Sequence, residues 1–255
     1  MNNLEILLLL LSGFTAGVIN SVAGGGALVI FPLLISMGLT PKFSNTTTSI
    51  GVFGGQMSSA FGYKEFIKNV HDKRLFIFLI IGIIGGGVGA FALDKTSNDL
   101  FEALAPWFVL SAVILILCQP LISKIIKKIN SDKNTPKLAM FSLLCIFAGI
   151  ISIYGGFFGA GMGIIIFALL GFAGIKNVNQ INGLKNIITI SINLSANIYF
   201  ISSGLVSWDY AVILFIGSLF GGYIGSKTAS RLPSSIIRAV VIICGIIATI
   251  VLFNR

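Results

Sequence analysis

The sequence predicts an all-α polytopic membrane protein built as two inverted-topology repeats of about five segments each, with glycine-broken short helices. Three observations predict it. Hydrophobic residues make up 56% of the 255 and charged ones only 10%, too little charge to cover a soluble domain of this size. Apolar runs of membrane-spanning length recur from end to end, with no interval between them long enough for a soluble domain. The chain also matches itself at a fixed offset, and the charges of equivalent loops change between the two copies. The apolar runs are continuous rather than alternating, which argues against a β-barrel.

The first repeat, 1–120, opens with the apolar segment Leu4–Val22. Glu5 is the one charged side chain ahead of the apolar run. No basic region precedes it, so the segment reads as a retained first span rather than a cleaved leader. The break "AGGGA" (Ala23–Ala27) follows, then a short apolar piece, Leu28–Leu39, and segments at about 45–62, 75–93 and 101–120. A basic linker, 121–137, joins the halves. The second repeat, 138–255, runs the same way: Leu138–Tyr154, the break "GGFFGAGMG" (Gly155–Gly163), Ile164–Ile175, then about 181–201, 210–226 and 236–253. Each piece after a break is shorter than the roughly 20 residues of a full span. Such pieces form short tilted helices or half-helices of a re-entrant hairpin.

The halves align without a gap when Ile30-Phe31 is laid over Ile166-Phe167. In that register Leu33-Leu34 meets Leu169-Leu170, Ser59-Ala60 meets Ser195-Ala196, Tyr63 meets Tyr199, and Gly85, Gly86 and Gly89 meet Gly221, Gly222 and Gly225. The loop at 63–74 carries Lys64, Lys68, Lys73 and Arg74, whereas its mate at 199–210 carries only Asp209. The acidic loop near 94–102 (Asp94, Asp99 and Glu102 against Lys95) faces a mate with Lys227, Arg231 and Arg238. Basic loops stay in the cytoplasm, so the two halves enter the membrane in opposite senses, with both termini outside the inner membrane. Lys42, Lys95 and Arg255 then lie outside and Lys185 within the membrane. The net charge of +9 is accounted for by these loops and does not call for nucleic acid. Inverted halves with glycine-broken helices point to a secondary transporter with its site near the midplane.

Lys185 is the sharpest signal inside a span. No other charge falls between Lys176 and Asp209. A lysine there is costly unless paired or hydrated. It either snorkels to the headgroups along its own stem or serves an anion site. Asn182, Asn186, Thr189, Asn193 and Asn197 follow one another by three or four residues, which is one stripe of a helix. Asn193 and Asn197 read as interhelical glue, and Asn182, Asn186 and Thr189 as companions of the cation. The equivalent run of the first half is "SNTTTSIG", where Ser49 matches Lys185. Thr48 and Ser49 offer hydroxyls to an oxyanion, and Ser44 or Asn45 reads as a helix cap. The breaks at Gly24, Gly25 and Gly26 and at Gly161 and Gly163 would present helix N-termini, whose free N–H groups attract anions. The same glycines also suit close helix packing. Asn20 would hydrogen-bond either a ligand or the unwound backbone.

Other chemistry is not indicated. Cys118, Cys145 and Cys244 lie in apolar segments without metal-ligand spacing and read as small buried hydrophobes. His71 sits among basic loop residues. No nucleophile–base pair, metal cluster or phosphate-binding motif is present, so neither an enzyme nor a cofactor is expected. No intramembrane acid or histidine marks a proton relay, and the coupling ion, proton or sodium, is left open.

"GFTAGVINSVAGGGALVIFPLLISMGLTPKFSNTTTSIGVF" early in the first half, with "GIISIYGGFFGAGMGIIIFALLGF" and "INGLKN" in the second, resembles the TauE/SafE sulfite-exporter family of membrane permeases over nearly the whole chain. The resemblance implies transport of a small anion, a sulfur-containing oxyanion or organosulfonate such as sulfite or a sulfoacetate-like compound. It does not say which residues bind. An anion channel, or a membrane chaperone or assembly factor without transport, are the alternatives.

Overall fold

The computed structural model describes residues 1–68, 73–129, 137–228 and 234–253. His71, Lys133, Arg231 and Arg255, and with them part of the basic linker, lie outside the described residues. Those described form helices and connecting turns without a strand. In chain order the helices are α1 (Asn3–Val22), α2 (Ala27–Ser36), α3 (Pro41–Gly62), α4 (Lys64–Ile67), α5 (Lys73–Lys95), α6 (Asn98–Ile129), α7 (Lys137–Phe157), α8 (Met162–Phe172), α9 (Val178–Ser202), α10 (Trp208–Thr228) and α11 (Ser234–Phe253). Each expected segment corresponds to one of them, and the single turn α4 is additional. Helix α6 continues nine residues beyond the expected end at 120. Its 32 residues span about 48 Å at about 1.5 Å per residue, more than a hydrocarbon core of about 30 Å. The first part of the basic linker is therefore a helix extension.

Among the described residues, four stretches are long and apolar enough to cross a membrane: Asn3–Val22, Leu75–Lys95, Asn98–Cys118 and Trp208–Thr228. Large apolar side chains such as Leu4, Phe76, Ile84, Ile198 and Phe220 stand on the outer surface, as lipid contact requires. Helices α3 and α9 are long but polar, and their Asn, Ser and Thr side chains are mostly buried between the other helices.

The halves interleave. Helix α1 packs on α10 and α10 on α3, while α5 packs on α7 and α9. Helix α3 meets α9, and α6 meets α11. Exchanging each helix for its counterpart in the other half maps these larger pairings onto themselves. Small residues make the close approaches possible. A Cβ on Gly17 of α1 would collide with the Ser218 carbonyl, and one on Gly221 of α10 with the Phe14 carbonyl. On the other side a Cβ on Gly89 of α5 would collide with the Ile153 carbonyl of α7. Ser218 Oγ accepts from the Gly55 N–H at 2.9 Å and donates to the Gly51 carbonyl, locking α10 to α3.

Helix α3 begins four residues before the expected start. Thr40 is its N-cap and Pro41 occupies the first turn, where a missing N–H costs nothing. Ser44 and Asn45 are therefore not caps. They lie a turn inside the helix, and both are buried. Thr46 Oγ1 donates to the Leu205 carbonyl, and Thr47 Oγ1 accepts from the Ser207 N–H at 3.1 Å, which pins the turn before α10 onto α3. Lys42 donates to the Asp94 and Thr96 carbonyls at 2.8 and 2.9 Å, a cation at the C-terminal end of α5 where the helix dipole favours it.

Candidate functional site

Each break is held by a side chain from its own half. At the first, Gly24 takes φ +85°, a conformation that glycine adopts without the Cβ penalty. Asn20 Oδ1 accepts from the Gly26 N–H at 2.9 Å and spans the unwound residues. Of the two roles open to Asn20, the structure shows its bond to the backbone. At the second break, Gly161 takes φ +76°, and the Tyr154 hydroxyl donates to the Ala160 carbonyl at 2.6 Å. The two breaks touch. A Cβ built on either Gly24 or Gly163 would stand 2.7 Å from the other's Cα.

A cavity of about 40 Å³ lies against this contact. At roughly 10–15 Å³ per water it has room for about three waters, or a small oxyanion. The first break contributes Asn20, Gly24 and Ala27, and α3 contributes Asn45, Thr48, Ser49, Val52 and Gln56. The second break contributes Gly155, Phe158, Gly159, Met162 and Gly163. Helix α9 contributes Lys185, Asn186, Thr189 and Asn193. All of these are buried or half-buried.

Eight of the twelve residues expected at the binding site share one cavity: Asn20, Gly24, Thr48, Ser49, Gly163, Lys185, Asn186 and Thr189. Four do not line it. Asn182 stands behind Lys185 and accepts from its Nζ at 3.2 Å. Gly25 faces Ile116 and Val241, Gly26 lies against the Ala16 backbone, and Gly161 faces Ala112. Those three glycines shape the breaks and make room for α1 and α6.

Lys185 does not snorkel. It is 1% exposed, and Nζ donates to the Asn20 carbonyl at 2.8 Å, to Asn182 Oδ1 at 3.2 Å and to the Ser21 carbonyl at 3.5 Å. Three acceptors match the three N–H groups of an ammonium. Two of them are carbonyls at the C-terminal end of α1, so the lysine caps the helix that the first break interrupts. No acidic side chain lines the cavity, and among the described residues Lys185 has no ion-pair partner.

Donors without protein acceptors complete the wall. Thr48 Oγ1 is fully buried and has no hydrogen-bond partner among the described residues. In the first turns of α2 and α8, Leu28 and Val29 donate to Gly25 and Gly26, and Met162 and Ile164 to Gly159 and Gly161. Among the described residues the intervening or preceding N–H groups of Ala27 and Gly163 have no such partner, and both residues line the cavity. Ala27 and Gly163 occupy the same position in the two halves.

Side chains of α3 and α9 bridge one another along their length. Asn186 Nδ2 donates to Ser59 Oγ at 2.9 Å, Asn193 Nδ2 to Gln56 Oε1 at 3.0 Å, and Ser49 Oγ to Asn197 Oδ1 at 2.7 Å. Asn193 and Asn197 are thus the glue the stripe suggested, and Asn193 also reaches the cavity. Two further lining residues are Asn45, which the sequence marks only as a helix cap, and Gln56, which it does not mark. Asn45 Nδ2 donates to the Phe157 carbonyl at 2.9 Å, at the end of α7.

The family model for the sulfite exporter TauE/SafE matches residues 9–252. The chain belongs to the TauE/SafE family. A "probable membrane transporter protein" of Haemophilus influenzae is 24% identical over 241 residues, covering 93% of this chain and 90% of the relative. The probable membrane transporter protein YfcA of Escherichia coli is 24% identical over 233 residues, 89% of this chain and 82% of its own length. The corresponding protein YdhB of Bacillus subtilis is 27% identical over 258 residues, 98% and 99% of the two chains. TauE/SafE membership and the apolar helices make this a membrane protein of a transporter family.

Proposed function

We propose that the chain is a secondary transporter for a small anion, a sulfur-containing oxyanion or organosulfonate, and that the cavity between the two breaks is its binding site. The observation that carries this reading is the set of unsatisfied donors around one uncompensated cation. The Ala27 and Gly163 N–H groups, the Thr48 hydroxyl and the Lys185 ammonium belong to residues that line a cavity of about 40 Å³, a size that suits one small oxyanion. Helix N-termini attract anions, and a buried cation without a counter-ion is stabilised by the arrival of one. Asn186, Thr189, Ser49 and Asn20 fill the remaining wall. The size of the cavity favours an inorganic oxyanion such as sulfite over a longer sulfonate.

The antiparallel bridging of α3 with α9 supports halves that enter the membrane in opposite senses, with both termini outside and the basic loops in the cytoplasm. Because α10 packs on α1 and α3, and α5 on α7 and α9, the bodies that alternate are these interleaved bundles. The cavity lies between them, at the repeat interface expected of such transporters.

Lys185→Gln tests the site. Glutamine keeps a donor for the α1 carbonyls and removes the charge. The variant should fold and lose gradient-driven sulfite uptake in proteoliposomes. Wild-type flux in this variant would remove Lys185 from the mechanism. Flux through the wild type without saturation or counterflow would mark a channel. An unchanged melting temperature across sulfur oxyanions would favour an assembly factor.

A further inference from the structure

The two breaks are capped by unlike side chains. At the first, the α1 carbonyls of Asn20 and Ser21 receive the Lys185 ammonium from α9. At the second, the α7 carbonyl of Phe157 receives the Asn45 amide from α3. Both capping residues are buried, at 1% and 6% exposure, and both line the cavity. They come from counterpart helices, each about a turn or two from its N-terminus. One function, closing a broken helix end, is thus carried out once with a charge and once without.

The consequence is electrostatic. Two helix N-termini, of α2 and α8, and two C-termini, of α1 and α7, meet at the breaks. Their partial charges are equal and opposite, so the pairs add no net charge to first order, although the free N–H groups of Ala27 and Gly163 still donate locally. What remains is the ammonium of Lys185, since every other lining side chain is uncharged. We propose that Asn45 sets the charge of this cavity at a single positive unit, and that the cavity therefore selects singly charged anions over doubly charged anions of the same size. The inference rests on the reading of the cavity as an anion site and adds its charge class. A monoanion brings the buried site to neutrality. A dianion of equal shape leaves one negative charge uncompensated in a low-dielectric interior, which is strongly unfavourable. A lysine in place of Asn45 would cap the same Phe157 carbonyl and supply the second positive charge.

Methanesulfonate and sulfate make the test. They have the same number of heavy atoms and nearly the same shape, and differ by one unit of charge. Binding of each to the full-length protein in lipid nanodiscs is measured by calorimetry at fixed ionic strength. The wild type should bind methanesulfonate at least tenfold more tightly than sulfate. Asn45→Lys should move the ratio at least tenfold toward sulfate, and Asn45→Lys combined with Lys185→Gln should bring it back toward the wild-type value. A wild type that binds sulfate as tightly as methanesulfonate overturns the proposal, whether or not the variants fold, and leaves the anion site standing. An Asn45→Lys protein with the wild-type ratio overturns it as well. Binding of neither anion to the wild type overturns both the proposal and the site.

Discussion

Replacing Gly24 with alanine tests the contact on which the site is built. The new Cβ would stand 2.7 Å from Gly163 Cα and 2.9 Å from its carbonyl carbon. Both are backbone atoms, so no side-chain rotation relieves the clash. Overpacking of this kind costs about 1–3 kcal/mol. Gly24 also has φ +85°, which adds about 1–2 kcal/mol for a residue bearing a Cβ. The sum is about 2–5 kcal/mol. Gly163→Ala meets the same contact from the other side, 2.7 Å from Gly24 Cα, without a positive φ. It should cost only the packing part, about 1–3 kcal/mol. At about 2–4 °C per kcal/mol for a chain of this size, Gly24→Ala should lower the melting temperature by roughly 4–20 °C, and more than Gly163→Ala does. Thermal unfolding of both proteins in the same detergent reads the difference, and sulfite uptake in proteoliposomes reads the function. A Gly24→Ala protein with wild-type melting and flux would refute the backbone contact between the breaks. An effect of Gly163→Ala larger than that of Gly24→Ala would refute the role assigned to the left-handed glycine.

Thr48→Val keeps the shape of the side chain and removes a buried hydroxyl that has no partner. The ligand-free protein should melt slightly higher, and sulfite should bind about 10–150-fold more weakly, the loss of one hydrogen bond to a charged group at about 1.5–3 kcal/mol. Calorimetry together with a melting curve separates the two effects. Ser218→Ala removes the acceptor of the Gly55 N–H and the donor to the Gly51 carbonyl. It should cost about 1–3 kcal/mol in a melting curve while leaving anion affinity in place. Orientation is read by cysteine labelling in a background lacking Cys118, Cys145 and Cys244. A cysteine at Lys64 should be modified from the cytoplasm and one at Asn98 from outside, and labelling of both from one side would contradict the charge-based topology.

Much of this architecture is readable in the residues because the bilayer imposes a length and a hydropathy on each span. The ends of α1, α5, α9 and α10 fall within a few residues of the apolar boundaries. The start of α3 is less legible. Ser44 and Asn45 have capping chemistry, but Pro41 in the first turn is the stronger signal, and it frees Asn45 to reach Phe157. The Lys185 cluster stood out because charge in an apolar run is expensive. Gln56 did not, since it is a single neutral residue whose counterpart, Ile192, is apolar, so neither spacing nor repeat marks it. Gly25, Gly26 and Gly161 look like Gly24 and Gly163 in sequence. Only packing distinguishes glycines that admit a neighbouring helix from those that border the cavity. Which helices become neighbours was also not legible, because a self-alignment equates α1 with α7 without saying that α1 rests on α10.

That neighbourhood has a consequence for biosynthesis. Helix α1 leaves the ribosome well before α10, which begins at Trp208, yet its glycine-lined face is covered by that helix. Until then its close-packing surface, and that of α3, faces lipid or whatever factor accompanies insertion. Contacts between segments so distant in the chain form late and slowly. Neither half contains the main packing partners of its own long helices α1, α3 and α5 or α7, α9 and α10. The two halves expressed alone should each remain unassembled, and a nick in the connection between α6 and α7 should be tolerated only when both pieces enter the same membrane together.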